Sequence, residues 1–258
     1  MERSKGFKNC ISALIPPAFW LGVWQLAAFF LDCKLQGKGN ELLLPYPATV
    51  FAALVRMVGD TEFFLTVFTS LGRILLGLVL GSAAGCVLAV LTCTFCWADR
   101  LLSPAIRVIR ATPVVSFIMP VLLWTDRDFV PAVISALMVV PVVWGNLSRG
   151  IRETDRQLLE LARAYRFSRF KTVHLVYLPS LRPYFISGVT TAMGLAWKSG
   201  VAAEVLCVPR ASIGTRILSS KQILEIPELF AWTAVVVALS LLLEKLLRAA
   251  LERQKGGL

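Results

Sequence analysis

The sequence predicts an all-α protein that crosses a membrane several times, and three observations carry that reading. Hydrophobic residues make up 57% of the 258 positions and the mean hydropathy is +0.70, too apolar for a soluble domain with 17% charged residues. Apolar runs recur near the roughly 20 residues that a helix needs to cross a bilayer. Between two of them lies one strongly basic, partly amphipathic stretch, Glu153 to Pro183, too polar to cross. About six spans in a single membrane domain, residues 1–258, leave no room for a soluble domain.

The net charge of +11 raises the question of nucleic acid, and its placement answers it. Arg and Lys gather before Ile11, between Arg100 and Arg110, from Arg149 to Arg182, and after Glu244. That asymmetry is what orientation in a membrane by positive cytoplasmic segments requires, so the expectation is lipid and no nucleic acid.

Taken in order, Ile11 to Leu31 reads as a retained first span, longer than a signal-peptide core and without a small-residue cleavage site, with Pro16 and Pro17 tolerated as a first turn or a kink. Asp32 to Arg73 is mixed; Gly37 and Gly39 precede Leu44-Pro45-Tyr46-Pro47, which enforces extended backbone before a helical pattern over Ala48 to Val58. Ile74 to Ala98 is free of charge and is the clearest span. Its Gly77, Gly81 and Gly85 recur every four residues, a small-residue face that lets another helix approach. A third span is expected from Arg110 to about Trp124, then a tight turn at Asp126-Arg127-Asp128, then a fourth span, Phe129 to Ser148, with Pro131 and Pro141.

The basic stretch predicts two short helices at the membrane surface. Thr154 caps the first, with Gln157 completing a capping box. Leu158, Leu161, Ala162 and Tyr165 then form one apolar stripe, which must dock on something. Ser168 caps a second helix carrying Phe170, Val173 and Tyr177, and Pro179 is expected to stop it. Beyond Pro183 a fifth span contains Lys198, Ser199 and Glu204. Ionisable groups at that depth cost roughly 3 kcal/mol each, so they face a partner or a watery path unless they have reached the surface. Six residues apart on an unbroken helix, Lys198 and Glu204 do not share a face. A polar segment, Cys207 to Glu228, leads to the last span, Leu229 to Leu247.

No phosphate loop of the G-x-x-x-x-G-K-[ST] kind occurs, nor H-E-x-x-H, and the single histidine, His174, lies in the basic stretch. Six cysteines are scattered; Cys93 and Cys96 stand in an apolar run with no second pair, so a metal site is not expected, and Cys10 is expected inside, Cys33 and Cys207 outside.

Glu160-Leu161-Ala162, then Ser168-Arg169-Phe170, then Leu178-Pro179-Ser180-Leu181 resemble the cytoplasmic coupling loop of ATP-binding-cassette (ABC) importer permeases, and the chain from Leu44 to Leu251 is similar to the nitrate, sulfonate and taurine type. Leu44 to Pro47 and Arg110-Ala111-Thr112-Pro113 resemble further motifs of that family. The resemblance implies a type I importer fold of six helices in a bacterial plasma membrane, both termini cytoplasmic, with residues 149–182 as the coupling-helix loop. It implies partners: two ATPase subunits that hold ATP and Mg, a second permease copy, and an external substrate-binding protein. Leu158, Glu160, Leu161, Ala162, Tyr165, Arg166 and Ser168 would contact the ATPase, and Arg110, Lys198, Ser199 and Glu204 are candidates for the path. Arg166 stands where the family has Gly, which puts the shape of that turn in question. A secondary transporter coupling through Lys198 and Glu204, or a scaffold subunit, are the alternatives; the absence of a repeated half argues against the first. The solute stays open between small anions and vitamin precursors.

Overall fold

The computed structural model describes residues 2–34 and 40–253, and the side chain of Cys10, together with Gly37 and Gly39, lies outside what is described. Every regular element among the described residues is helical. They run α1 Glu2–Lys34, α2 Asn40–Leu43, α3 Pro47–Val58, α4 Thr61–Thr94, α5 Cys96–Ala111, α6 Val114–Trp124, α7 Val130–Arg152, α8 Arg156–Ala164, α9 Arg169–Thr172, a π-helical segment Val173–Tyr177, α10 Leu178–Cys207, α11 Ile213–Gln222 and α12 Ile226–Arg253. By length and composition α4, α7 and Ile226–Leu247 are apolar enough to cross a membrane, and α5 with α6 makes a fourth crossing if that bent pair is one span. The expected count of six is thus met in part. The long α10 is diluted by Pro179, Arg182, Pro183, Lys198 and Glu204.

Backbone contacts divide the described chain into two compact units, 1–65 with 216–236, and 66–215 with 237–258. In the first unit Val50 and Ala53 of α3 bury against Ala231 of α12, flanked by Trp24 and Phe230, whose rings lie 5.8 Å apart. Pro47 opens α3 where its missing N–H costs nothing, and Trp24 Nε1 donates to the Pro45 carbonyl at 3.1 Å.

The second unit holds the central packing. α7 and α10 make the most extensive helix pair, and α4 lies on α7 through the predicted glycine face: a Cβ on Gly77 would come within 2.4 Å of the Ala132 carbonyl, and one on Gly81 within 2.6 Å of that of Ala136. Gly200 of α10 sits against Ile74 and Ser135, and Ser135 Oγ donates to the Ala196 carbonyl at 3.0 Å, so α4, α7 and α10 meet at one point. Ile118, Val130, Ile134, Ala203 and Cys207 form the apolar cluster joining α6, α7 and α10.

Four expectations are corrected. The span placed at Ile74 to Ala98 begins at Thr61 and includes Arg73, because Arg73 Nη2 pairs with Asp128 at 3.0 Å and Nη1 donates to the Arg210 carbonyl, so the charge is compensated within the fold. The third span is two helices bent by 109° at Thr112-Pro113. Pro113 drives Thr112 into extended backbone (φ −83°, ψ 135°), and α6, about 16 Å long, reaches only half across a bilayer. Asp155, not Thr154, caps α8, its carboxylate accepting from Gln157 N at 2.8 Å, while the buried Thr154 hydroxyl donates back to the Gly150 carbonyl. Finally, Pro179 does not end the second surface helix: α9, the π segment and α10 follow one another without a break, and Pro179 comes directly after the π segment, where the regular i to i−4 ladder that a proline would break is already interrupted. The tight turn is as expected, with Phe129 N donating to the Asp126 carbonyl at 2.9 Å.

Candidate functional site: a cationic cleft and an exposed knob

An open cleft of about 640 Å³ lies where the α5–α6 break faces α7 and α10. The break supplies Arg110 and Thr112, α7 supplies Asn146 and Arg149, and α10 supplies Thr191 and Leu195. The cleft is cationic and more apolar than polar in its lining, to which Met138 and Val142 also contribute, with no carboxylate among the described residues that line it. It exists because the chain turns sharply at Pro113; a straight span would fill the space. Asn146 is held in place by donating to the Val142 carbonyl at 2.9 Å and by Gly188 packed on its side chain.

Of the four path residues expected from sequence, Arg110 alone lines this cleft. Lys198 is exposed on α10, i+7 from Thr191 and i+3 from Leu195, and so continues their face. Ser199 is buried, its hydroxyl donating to the Leu195 carbonyl at 2.7 Å. Glu204 has no exposed surface and accepts from Gly214 N at 3.1 Å. Around it, Ile213 N donates to Ser70 Oγ at 2.9 Å and Arg210 N to Asp128 at 2.8 Å, which ties the segment after α10 to α4 and to the turn before α7. α10 is unbroken at Gly200, and Lys198 and Glu204 point apart.

Asn146 and Arg149 were missed by sequence reasoning. Arg149 read as one of many topology charges, and nothing in its neighbours separates it from Arg152; a scan of the α7 face at i and i+3 from Asn146 would have shown it. The five cysteines with described side chains are free: Cys33, Cys86, Cys93 and Cys96 are at least partly exposed, Cys207 is buried, and the Cys93 thiol donates to the Ser148 carbonyl at 3.8 Å.

At the far end of α7 and α10 the chain forms a knob. α8 packs on the π segment, and Ala162 is buried, whereas Leu158, Leu161 and Tyr165 stay 43%, 54% and 70% exposed. The stripe expected to be continuous is therefore split, one residue turned to the fold and three outward. Glu160 is exposed beside them. Arg166 has φ 51°, with its N–H donating to the Arg163 carbonyl and Phe167 N to that of Ala162 at 2.8 Å, a left-handed helix stop of the Schellman kind. Ser168 Oγ then accepts from Lys171 N as expected, starting α9, on which Phe170 is 82% exposed.

Residues 74–255, the part of the chain that holds both cleft and knob, match the family model described as binding-protein-dependent transport system inner membrane component. The chain belongs to this family. Individual members agree with that. The chain is 25% identical over 95% of its length, and 86% of the relative's, to a Bacillus subtilis (strain 168) protein bearing the name of an aliphatic sulfonates transport permease. It is 29% identical over 81% of its length, and 77% of the relative's, to an Escherichia coli (strain K12) protein of the same name, and 26% identical over 90% of its length, and 85% of the relative's, to the bicarbonate transport system permease protein of a Synechocystis strain. It is accordingly an inner-membrane, multi-pass transport component of the ABC permease type.

Proposed function

We propose that this permease forms the translocation path of an ATP-driven importer, that the cleft at the α5–α6 break is part of that path, and that the knob is its coupling element. One observation carries the reading: the two helices that wall the cleft, α7 and α10, are the same two that run into the knob, α7 through the turn at Glu153 and α10 through the π segment. A displacement of the knob therefore acts on the cleft walls directly. Leu158, Glu160, Leu161, Ala162, Tyr165, Arg166 and Ser168 belong to the coupling element. Leu158, Leu161, Tyr165 and Phe170 are large apolar side chains left exposed among the described residues, which suits a groove on a separate ATPase subunit that holds ATP and Mg. In this reading the knob lies on the cytoplasmic side, with both termini, and the α10–α11 segment lies outside, facing a substrate-binding protein. A second permease copy closes the open side of the cleft.

The charge of the cleft favours a small anion, because Arg110 and Arg149 present guanidinium groups, no carboxylate is among the described residues that line it, and the Arg149 pairing with Glu153 at 3.8 Å is exposed and weak. Sulfonates and bicarbonate, named for the relatives, have that chemistry. Lys198 adds a further cation along the same α10 face. The test is uptake of an aliphatic sulfonate, nitrate and bicarbonate into vesicles that carry the permease with its ATPase and binding protein, with and without internal ATP. ATP-dependent uptake of one of the three, reduced tenfold or more by Arg110→Gln with ATP hydrolysis retained, is the expected result. Uptake that needs no ATP would return the secondary-transporter alternative.

A further inference from the structure

The cationic cleft is one of several among the described residues. A second, of about 450 Å³, is lined by Asp99, Ser103, Arg107 and Arg152, and the two share two residues, Gly145 and Arg149, one helical turn apart on α7. At that junction a Cβ on Gly145 would meet nothing within 4 Å, so the helix leaves open space there. Arg149 is the only charged residue common to both clefts. Its guanidinium lies 3.8 Å from Glu153, an exposed and therefore weak pair. Glu153 is itself fixed by the Tyr184 hydroxyl, which donates to it at 2.8 Å, and the Tyr184 ring is seated against Gly150.

We infer that Gly145 and Arg149 form a throat joining the path cleft to the knob-side cleft, in which Arg149 selects and hands over the anion and Glu153 is its counter-ion when the throat is empty. The inference rests on the reading of the larger cleft as the path. Gly145 supplies room, since any side chain would stand in the passage. Arg149 supplies the charge seen from both sides. A Glu153 carboxylate held by Tyr184 stays within reach of Arg149 without binding it tightly, so an incoming anion exchanges with it. Beyond the throat Arg107 and Arg152 continue the cationic lining, and Asp99 takes up part of that charge by its 3.7 Å pairing with Arg152.

Thiol chemistry tests this without knowledge of the natural solute. In a background lacking the native cysteines, Gly145→Cys and, separately, Thr191→Cys in the path cleft are treated in membranes with two methanethiosulfonate reagents of like size, the anionic sulfonatoethyl and the cationic trimethylammonium-ethyl compound. Rates are normalised to those with a free thiol. The expected result is reaction at position 145 about tenfold faster with the anion, the low end of what a charged cleft does to local ion concentration. Arg149→Gln should abolish that ratio, Arg149→Lys should keep most of it, and Glu153→Gln should raise it. A ratio at position 145 that ignores Arg149, while position 191 reacts, overturns the throat and leaves the path reading standing. Failure of both positions to react overturns the path reading as well.

Discussion

Arg166 holds a left-handed backbone at a place where a side chain is a liability. Its φ of 51° completes the hydrogen-bonded stop of α8, and without a Cβ the same geometry is free of strain. Arg166→Gly should therefore stabilise the protein by about 1 kcal/mol, seen as a higher Tm of the detergent-solubilised chain; a lower Tm would mean that the guanidinium makes a contact worth more than the strain. Gly214 is the opposite case. A Cβ there would lie 2.4 Å from that of Glu204 and 2.5 Å from the Val205 nitrogen, and the Gly214 N–H is what the buried carboxylate accepts. Gly214→Ala should cost about 1–3 kcal/mol and lower both the yield and the Tm, whereas an unchanged Tm would show that α11 shifts freely. The first of these sites was legible in the sequence, because the neighbouring motif marks where glycine is expected. The second was not: the partner of Glu204 is ten residues on, in a polar segment whose fold nothing local dictates.

The π segment joins the knob to α10 without a loop. Five residues, Val173–Tyr177, carry the helix from α9 into the long span, with Val176 buried beneath. Such a segment amounts to one extra residue in an α-helix. Inserting one further residue into it, beyond the one that the π geometry already absorbs, should turn the knob by about 100° relative to α10. Membrane insertion should persist while the ATPase no longer stimulates, or is stimulated by, transport; an insertion variant with normal coupling would show that the joint transmits nothing. On α4, Gly81→Val should separate α4 from α7 and lower Tm by several degrees, because the new side chain meets the Ala136 backbone and Val139. The glycine spacing revealed this face in advance. Proline was a less dependable guide. Pro113 broke a span where one continuous helix was expected, because it fixes an extended Thr112, while Pro179 broke nothing, because the π segment before it already interrupts the regular ladder. The start of α4 was misread for a different reason, since the ionic partner of Arg73 lies 55 residues away.

For the whole molecule, apolar length and charge placement were enough to give the helical membrane class and the general position of each long segment. The cleft was not legible, because it is made by a bend and by three segments distant in sequence, and of the described residues that line it only those from Arg110 to Pro113 carry a motif. Orientation follows from the proposal that the knob is cytoplasmic: Ser168→Cys should react with an impermeant thiol reagent only after cells are opened, and Asp60→Cys in intact spheroplasts, with the reverse pattern placing the knob outside. The central claim is that the knob grips an ATPase. The direct measurement is co-purification of the ATPase subunit with tagged wild-type permease and with a Glu160→Ala, Leu161→Asp variant, both positions being exposed so that the fold is spared. The account predicts a stoichiometric ATPase with the wild type and loss of at least nine-tenths of it with the variant, at equal permease yield; full retention by the variant would contradict it.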